Sequence, residues 1–336
     1  MKRIVLLGAV LAGLALLVGP GCEKKEPGAK PEKKVFRIGL VAKSSTNPVF
    51  LAARVGAEAK AAELSKQYGI EVVIDWQTPP KEDAQVQADR IKQLVAGGVD
   101  AIILSCSDAK ATSGAVNDAV DRGVPVMCFD SDASESKRFA FHGVDDLETG
   151  KAVMKHLAQQ MGAKGVVAIL AGNPNAPNLK KRVEGVREEA KNYPDITIKD
   201  VYYHAETPDD AAKLVKTVMD ANQDITGWAM VGGWPLFTDA LQTNWRAGVK
   251  VVAVDALPAQ LAYVESGIAP VLLAQKVFDW GYRSVEMTFE KVYLHKDVPE
   301  RDVATLEVVT KDNLGQWARK LEKWDFKVDP KYLQMK

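Results

Sequence analysis

Seven stretches of this 336-residue chain gather side chains that could bind a small polar molecule. They are Lys43-Ser44-Ser45-Thr46-Asn47-Pro48-Val49-Phe50, Ser105-Cys106-Ser107-Asp108, Asp130-Ser131-Asp132, Asn173-Pro174-Asn175, Gly232-Gly233-Trp234-Pro235, Asp255 and Gln275. Hydroxyls, amides and carboxylates mixed with a few aromatics make a poor lipid site. They suit a polyhydroxylated ligand, because planar polar groups bind neighbouring hydroxyls in pairs while aromatic faces cover C–H patches. Trp76 could add a further aromatic face. Catalytic patterns are absent. The four histidines, His142, His156, His204 and His295, are scattered without metal-ligand spacing. No nucleophile elbow, phosphate-binding loop or Cys/His pairing occurs. Asp130 and Asp132 have the residue types for glycoside hydrolysis, but they share one loop and nothing raises either as an acid. The reading is a binding protein without enzyme activity, cofactor or metal.

Each of these stretches follows a short apolar run, so the elements that position them are strands. From Val35 the chain alternates β-branched runs with amphipathic segments, the pattern of parallel sheets with crossover helices. Strands are expected at 36–42, 71–76, 101–105, 124–129, 165–170, 197–203, 227–231, 250–254 and 270–274. Helices are expected at 50–68, ending at Gly69, at 81–95, ending before Gly97-Gly98, and at 276–293. Residues 131–144 read as a long loop, with a new helix near Asp145. Asp108, Asp145 and Asp209 read as helix caps. In open parallel sheets ligands sit beyond the carboxyl ends of the strands, where the polar stretches fall. The expected fold is α/β, with two doubly wound, Rossmann-like parallel-sheet lobes joined by a hinge. One lobe comprises 36–144 plus 276–304, and the other 145–275 plus 305–336. Residues 312–323 form an amphipathic segment that could pack back on a lobe or face a partner.

Lysine plus arginine and aspartate plus glutamate each number 44, so no basic field exists to hold nucleic acid. Lys2 and Arg3 precede the uncharged stretch 4–21, which has the layout of a secretory signal peptide. Gly21-Cys22 at its end resembles the processing site of bacterial lipoproteins, with Cys22 as the lipidated residue and 22–35 as a polar tether. Gly19 stands where that pattern usually has Leu, leaving ordinary cleavage or an uncleaved anchor as alternatives. Cys106 and Cys128 end consecutive strands and read as buried free thiols, a disulfide being the other reading.

From Phe36 to Val309 the order of motifs resembles the periplasmic sugar-binding proteins of ABC importers, in the group of the ribose-binding protein. Asn47-Pro48-Val49-Phe50 is similar to an Asn-Pro-Phe-Phe motif whose Asn bonds sugar hydroxyls and whose two Phe rings pack on the sugar; Val49 replaces one of them. Ser105 stands at a family Asn. Asp130 stands at a carboxylate that binds paired hydroxyls, and the family Arg after it is here Ser131. Arg182 matches a hinge-facing arginine, Gly233 falls at an Asn beside Trp234, and Asp255 and Gln275 match a carboxylate and an amide. The resemblance implies a monomeric type I periplasmic binding protein that closes on a monosaccharide or polyol and serves an inner-membrane ABC permease. It also implies a periplasmic or cell-surface location, here lipid-anchored. Lys43 with Asp130-Ser131-Asp132 is similar to receptors for autoinducer-2. A sensor read by a chemoreceptor or sensor kinase is therefore the alternative. A cytoplasmic repressor of the same fold is disfavoured by the signal and tether.

Overall fold

A computed structural model describes residues 34–335. Cys22, the signal stretch and most of the tether lie outside the described residues.

The first sheet contains β1 (Val35–Val41), β2 (Glu71–Trp76), β3 (Ala101–Leu104), β4 (Val126–Phe129) and β5 (Ala140–Gly143). The second contains β6 (Lys164–Ala171), β7 (Asp195–Tyr203), β8 (Ile225–Met230), β9 (Lys250–Val254) and β10 (Val271–Ala274). Two short late strands split between them: β11 (Arg301–Val303) joins the first sheet and β12 (Glu307–Val309) the second. The orders are β11-β5-β4-β3-β1-β2 and β12-β10-β9-β8-β6-β7. Every pairing is parallel except β10 with β12. In each sheet the order reverses beside its first strand, so the topological switch points lie at β1/β3 and β6/β8. The chain passes between sheets after β5, after β10 and after β11.

Helices cover the sheets: α1 (Pro48–Tyr68), α2 (Ala84–Ala96), α3 (Ala109–Asp121), α4 (Asp146–Met161), α5 (Pro177–Ala190) and α6 (Pro208–Ala221). They are followed by α7 (Leu261–Ser266), α8 (Val277–Val292) and α9 (Leu314–Lys323). Helix α1 starts where the Asn47 side chain accepts the Val49 N–H and stops at Gly69, whose φ of 66° is the left-handed conformation glycine tolerates. Asp108 and Asp145 cap α3 and α4. Asp209 does not cap: Thr207 takes that place on α6 and Asp209 falls in its first turn. Helix α8, which follows the second sheet in sequence, packs on α1 and on β3, β4 and β5. Helix α9 buries Trp317 and Leu321 in the core around β8–β10, and the Trp317 indole donates to the Ala256 carbonyl at 2.6 Å.

Two features differ from the sequence reading. The stretch 131–144 is not all loop, because Ala140–Gly143 forms β5, buried between β4 and β11. Its four residues, Ala-Phe-His-Gly, contain no β-branched side chain, and neighbouring strands rather than propensity make it extended. Strands β11 and β12, three residues each, were likewise too short for any period to register. Cys106 and Cys128 are buried free thiols.

Candidate functional site

The carboxyl ends of the two sheets face one another across a nearly closed cleft with about 30 Å³ of free space. Its walls carry Lys43, Asn47, Phe50 and Asp130 from one lobe, and Arg182, Trp234, Asp255 and Gln275 from the other.

On the first lobe, Asp130 directly follows β4 with φ of 56°. A non-glycine residue held there is strained by about 1 kcal/mol or more, which surrounding bonds must offset. They do: Ser105 Oγ donates to Asp130 Oδ2 at 2.7 Å and Asn178 Nδ2 donates to Oδ1 at 3.1 Å. Lys43 Nζ lies 3.7 Å from Oδ2 and donates to Asn178 Oδ1 at 3.1 Å. Burial pulls the Lys43 ammonium pKa down, but the carboxylates of Asp130, Glu206 and Glu82 outweigh that effect and leave it raised. Lys43 is therefore a buried cation. Behind it Gln87, fully buried in α2, ties the strand ends together. Its amide donates to the carbonyls of Ala42 and Ser105 and accepts the Ser107 N–H.

The second lobe repeats this plan. Asp255 directly follows β9 with φ of 72°, and the buried Gln260 donates to its carbonyl at 3.1 Å. Gln275 Nε2 donates to Asp255 Oδ1 at 2.8 Å. Arg182 Nη2 donates to Gln275 Oε1 at 2.9 Å, its Nη1 to the Val231 carbonyl at 3.1 Å and its Nε to Asp146 Oδ1 at 2.9 Å. Helices α4 and α5 approach closely enough for this contact because each presents a glycine. A Cβ on Gly150 would sit 2.0 Å from the Arg182 carbonyl oxygen, and one on Gly185 2.1 Å from that of Leu147. Burial pushes the Asp146 carboxyl up to about 6 against the opposing pull of Arg182. Burial also raises Asp255, opposed by the Gln275 hydrogen bond.

Aromatic rings complete the walls. Phe50, Phe129 and Trp280 pack with centroids 6.1 to 6.3 Å apart. Opposite, Trp234 packs edge-on against His204 at 4.7 Å. Burial lowers the His204 pKa to about 4, which keeps its ring neutral.

The structure thus brings Lys43, Asn47, Phe50, Asp130, Arg182, Trp234, Asp255 and Gln275 together, with Ser105 behind Asp130. It does not bring in two others. Asp132 points to Arg138, which grips it bidentately at 2.6 and 2.8 Å, with Arg301 at 3.6 Å. Trp76 ends the outer strand β2 and lies under the Arg54 guanidinium at 5.6 Å. Sequence reasoning missed Asn178, Glu206 and Trp280, which also line the cleft. Trp280 sits at helical spacing within α8 and reads as core. Asn178 follows Asn173-Pro174-Asn175 closely enough that the polar stretch could have been extended to it. Among the described residues no group of three or more His, Cys, Asp and Glu could hold a metal ion. No described helix is long and apolar enough to cross a membrane.

Two α/β lobes that direct polar strand ends into a shared cleft define a bilobal binding protein. The chain belongs to the periplasmic binding protein family: the model described as a periplasmic binding protein domain matches residues 38–293. It is 31% identical over 190 residues to the ribose import binding protein of Bacillus subtilis, covering 55% of this chain and 59% of that one. It is 26% identical over 274 residues to the xylitol-binding protein of Mycolicibacterium smegmatis, covering 78% and 73%. The fold is that of a solute-binding protein from Burkholderia graminis solved in complex with D-arabinose, with TM-score 0.78, 23% identity, and coverage of 84% and 98%.

Proposed function

We propose that this chain is an extracytoplasmic solute-binding protein that captures a neutral monosaccharide or polyol and delivers it to an ABC importer. The observation that carries the reading is the convergence of Asp130 and Asp255, one from each lobe, on a cleft walled by Phe50, Trp234 and Trp280. Carboxylates accept pairs of hydroxyl protons through charge-assisted bonds, and the rings cover the ligand's C–H faces. An anionic ligand is disfavoured because each buried cation of the cleft already faces a carboxylate, Lys43 beside Asp130 and Arg182 beside Asp146. The names of the relatives, which refer to ribose and xylitol, support the same class.

Closure by hinge motion is the mechanism: a ligand held between the lobes reaches the groups of both only when they meet, so ligand shifts the population toward the closed form. The protein acts by binding, without turnover and as a monomer, and Cys22 carries the lipid that holds it to the membrane. A thermal-shift screen against pentoses, hexoses, polyols and autoinducer-2 tests the reading. A ligand at a thousand times its Kd adds about 4 kcal/mol. One hit that vanishes in both Asp130→Ala and Asp255→Ala supports the assignment; flat curves from folded, ligand-free protein overturn it for common sugars and polyols.

A further inference from the structure

At the rim of the cleft two carboxyl groups meet across the lobes. Glu82, in the loop between β2 and α2, and Glu206, in the turn between β7 and α6, line one pocket and both accept from Asn173. Two ionised carboxylates brought to one spot repel each other, so the approach favours a proton on one of them. Asn173 straddles the pair. Its backbone N–H donates to Glu206 Oε1 at 2.9 Å, while its Nδ2 donates to Glu82 Oε1 at 3.0 Å and to the Ser107 carbonyl at 3.4 Å. One second-lobe residue thereby clasps the first lobe at two points.

Glu206 is held in place from behind. Its φ is 58°, its N–H donates to His204 Nδ1 at 3.0 Å, and its side chain lies over Gly172, where a Cβ would meet Cγ at 2.5 Å. The groups facing this spot are Glu82 and Lys81 from the loop before α2, Lys43 from the end of β1, and Asp210 from the first turn of α6. His204 stands beside it, neutral at physiological pH.

We propose that Glu82 and Glu206 form a proton-operated latch, in which closing the cleft brings the two carboxyls together and takes up one proton that they share. Opening separates them and returns each to solvent, where a glutamate is ionised above about pH 4.3. In the closed cleft, burial and the nearby Glu82 carboxylate raise Glu206 to about 8, against the pull of Lys43. The sign follows from linkage. The closed form binds the proton more tightly, so its advantage is complete in acid, is lost as pH rises, and levels off above about 8. Between those limits the closed-to-open ratio falls by up to tenfold per pH unit.

Inter-lobe energy transfer between dyes on Lys92→Cys and Lys213→Cys, in a full-length chain with Cys22, Cys106 and Cys128 replaced by alanine, tests this without any ligand. The readout is therefore separate from the sugar assignment. The closed fraction should fall between pH 5 and 8. It should stay nearly level in Glu206→Gln and in Glu82→Gln, whose amides supply the hydrogen permanently. Asn173→Ala should lower the closed fraction at every pH. A distance that does not move between pH 5 and 9, long or short, overturns the latch, as does an unchanged pH slope in both glutamine variants.

Discussion

The two faces of the cleft are built on one plan but finished differently. Each has an aspartate in left-handed conformation at a strand end, Asp130 or Asp255, and each pins its strand-end turns with a fully buried glutamine, Gln87 or Gln260. On the second lobe the polar groups then bond to one another: Asp146 to Arg182, Arg182 to Gln275, Gln275 to Asp255. On the first lobe Ser105 donates to Asp130 and Lys43 pairs with it at 3.7 Å, but both Lys43 and Asp130 find their amide partner in Asn178 of the other lobe. The second face is therefore preorganised, and the first is completed by closure. Preorganised donors lose little freedom on binding, so they set orientation; groups satisfied only across the cleft make closure favourable.

The largest effect that would break this contrast comes from Arg182→Ala. It strips a buried carboxylate of its partner, and by analogy with other broken buried pairs should cost about 3–5 kcal/mol in urea unfolding, along with ligand binding. Next, Asp255→Asn and Asp130→Asn should each weaken ligand binding by roughly ten- to a hundredfold in calorimetry, the worth of one charge-assisted bond. A smaller and more selective effect is expected at Asp146. Because its carboxyl sits near 6 when folded, the folded state holds that proton better than the unfolded chain. This stabilisation is present below about pH 4 and lost as pH rises through 6, at up to about 1.4 kcal/mol per pH unit. Asp146→Asn should remove that slope from a pH series of unfolding curves. Smallest of all, Trp76→Ala and Asp132→Asn should leave affinity within about twofold, the second costing stability through Arg138 instead. A tenfold loss of affinity in either would return it to the site.

How much was legible in the sequence follows from this geometry. β-branched runs ending in polar residues mark both the strands and the ligand-facing positions, so the sheet order's consequences were visible at Asp130 and Asp255. Strand β5 was not, because neighbours and not its own side chains make it extended. Asp132 misled because residues two apart in an extended segment share a face, so Asp-Ser-Asp after a strand looks like one cluster, yet the left-handed backbone at Asp130 breaks that alternation. Its true partner, Arg138, stands six residues later in the same stretch. Glu206 carries no sequence signal, since its meaning depends on a glutamate 124 positions earlier arriving from the other lobe.

The left-handed backbone at Asp130 and Asp255 also bears on how such a protein can change over generations. Besides aspartate, the residues most at ease with φ near 60° are asparagine and glycine, and β-branched side chains are poorly suited to it. Drift at these two positions is thus biased toward asparagine and glycine, which remove a charge or a whole side chain, and away from β-branched residues. Variation in the proposed ligand preference is therefore freer in the aromatic walls and the rim than at these two strand ends.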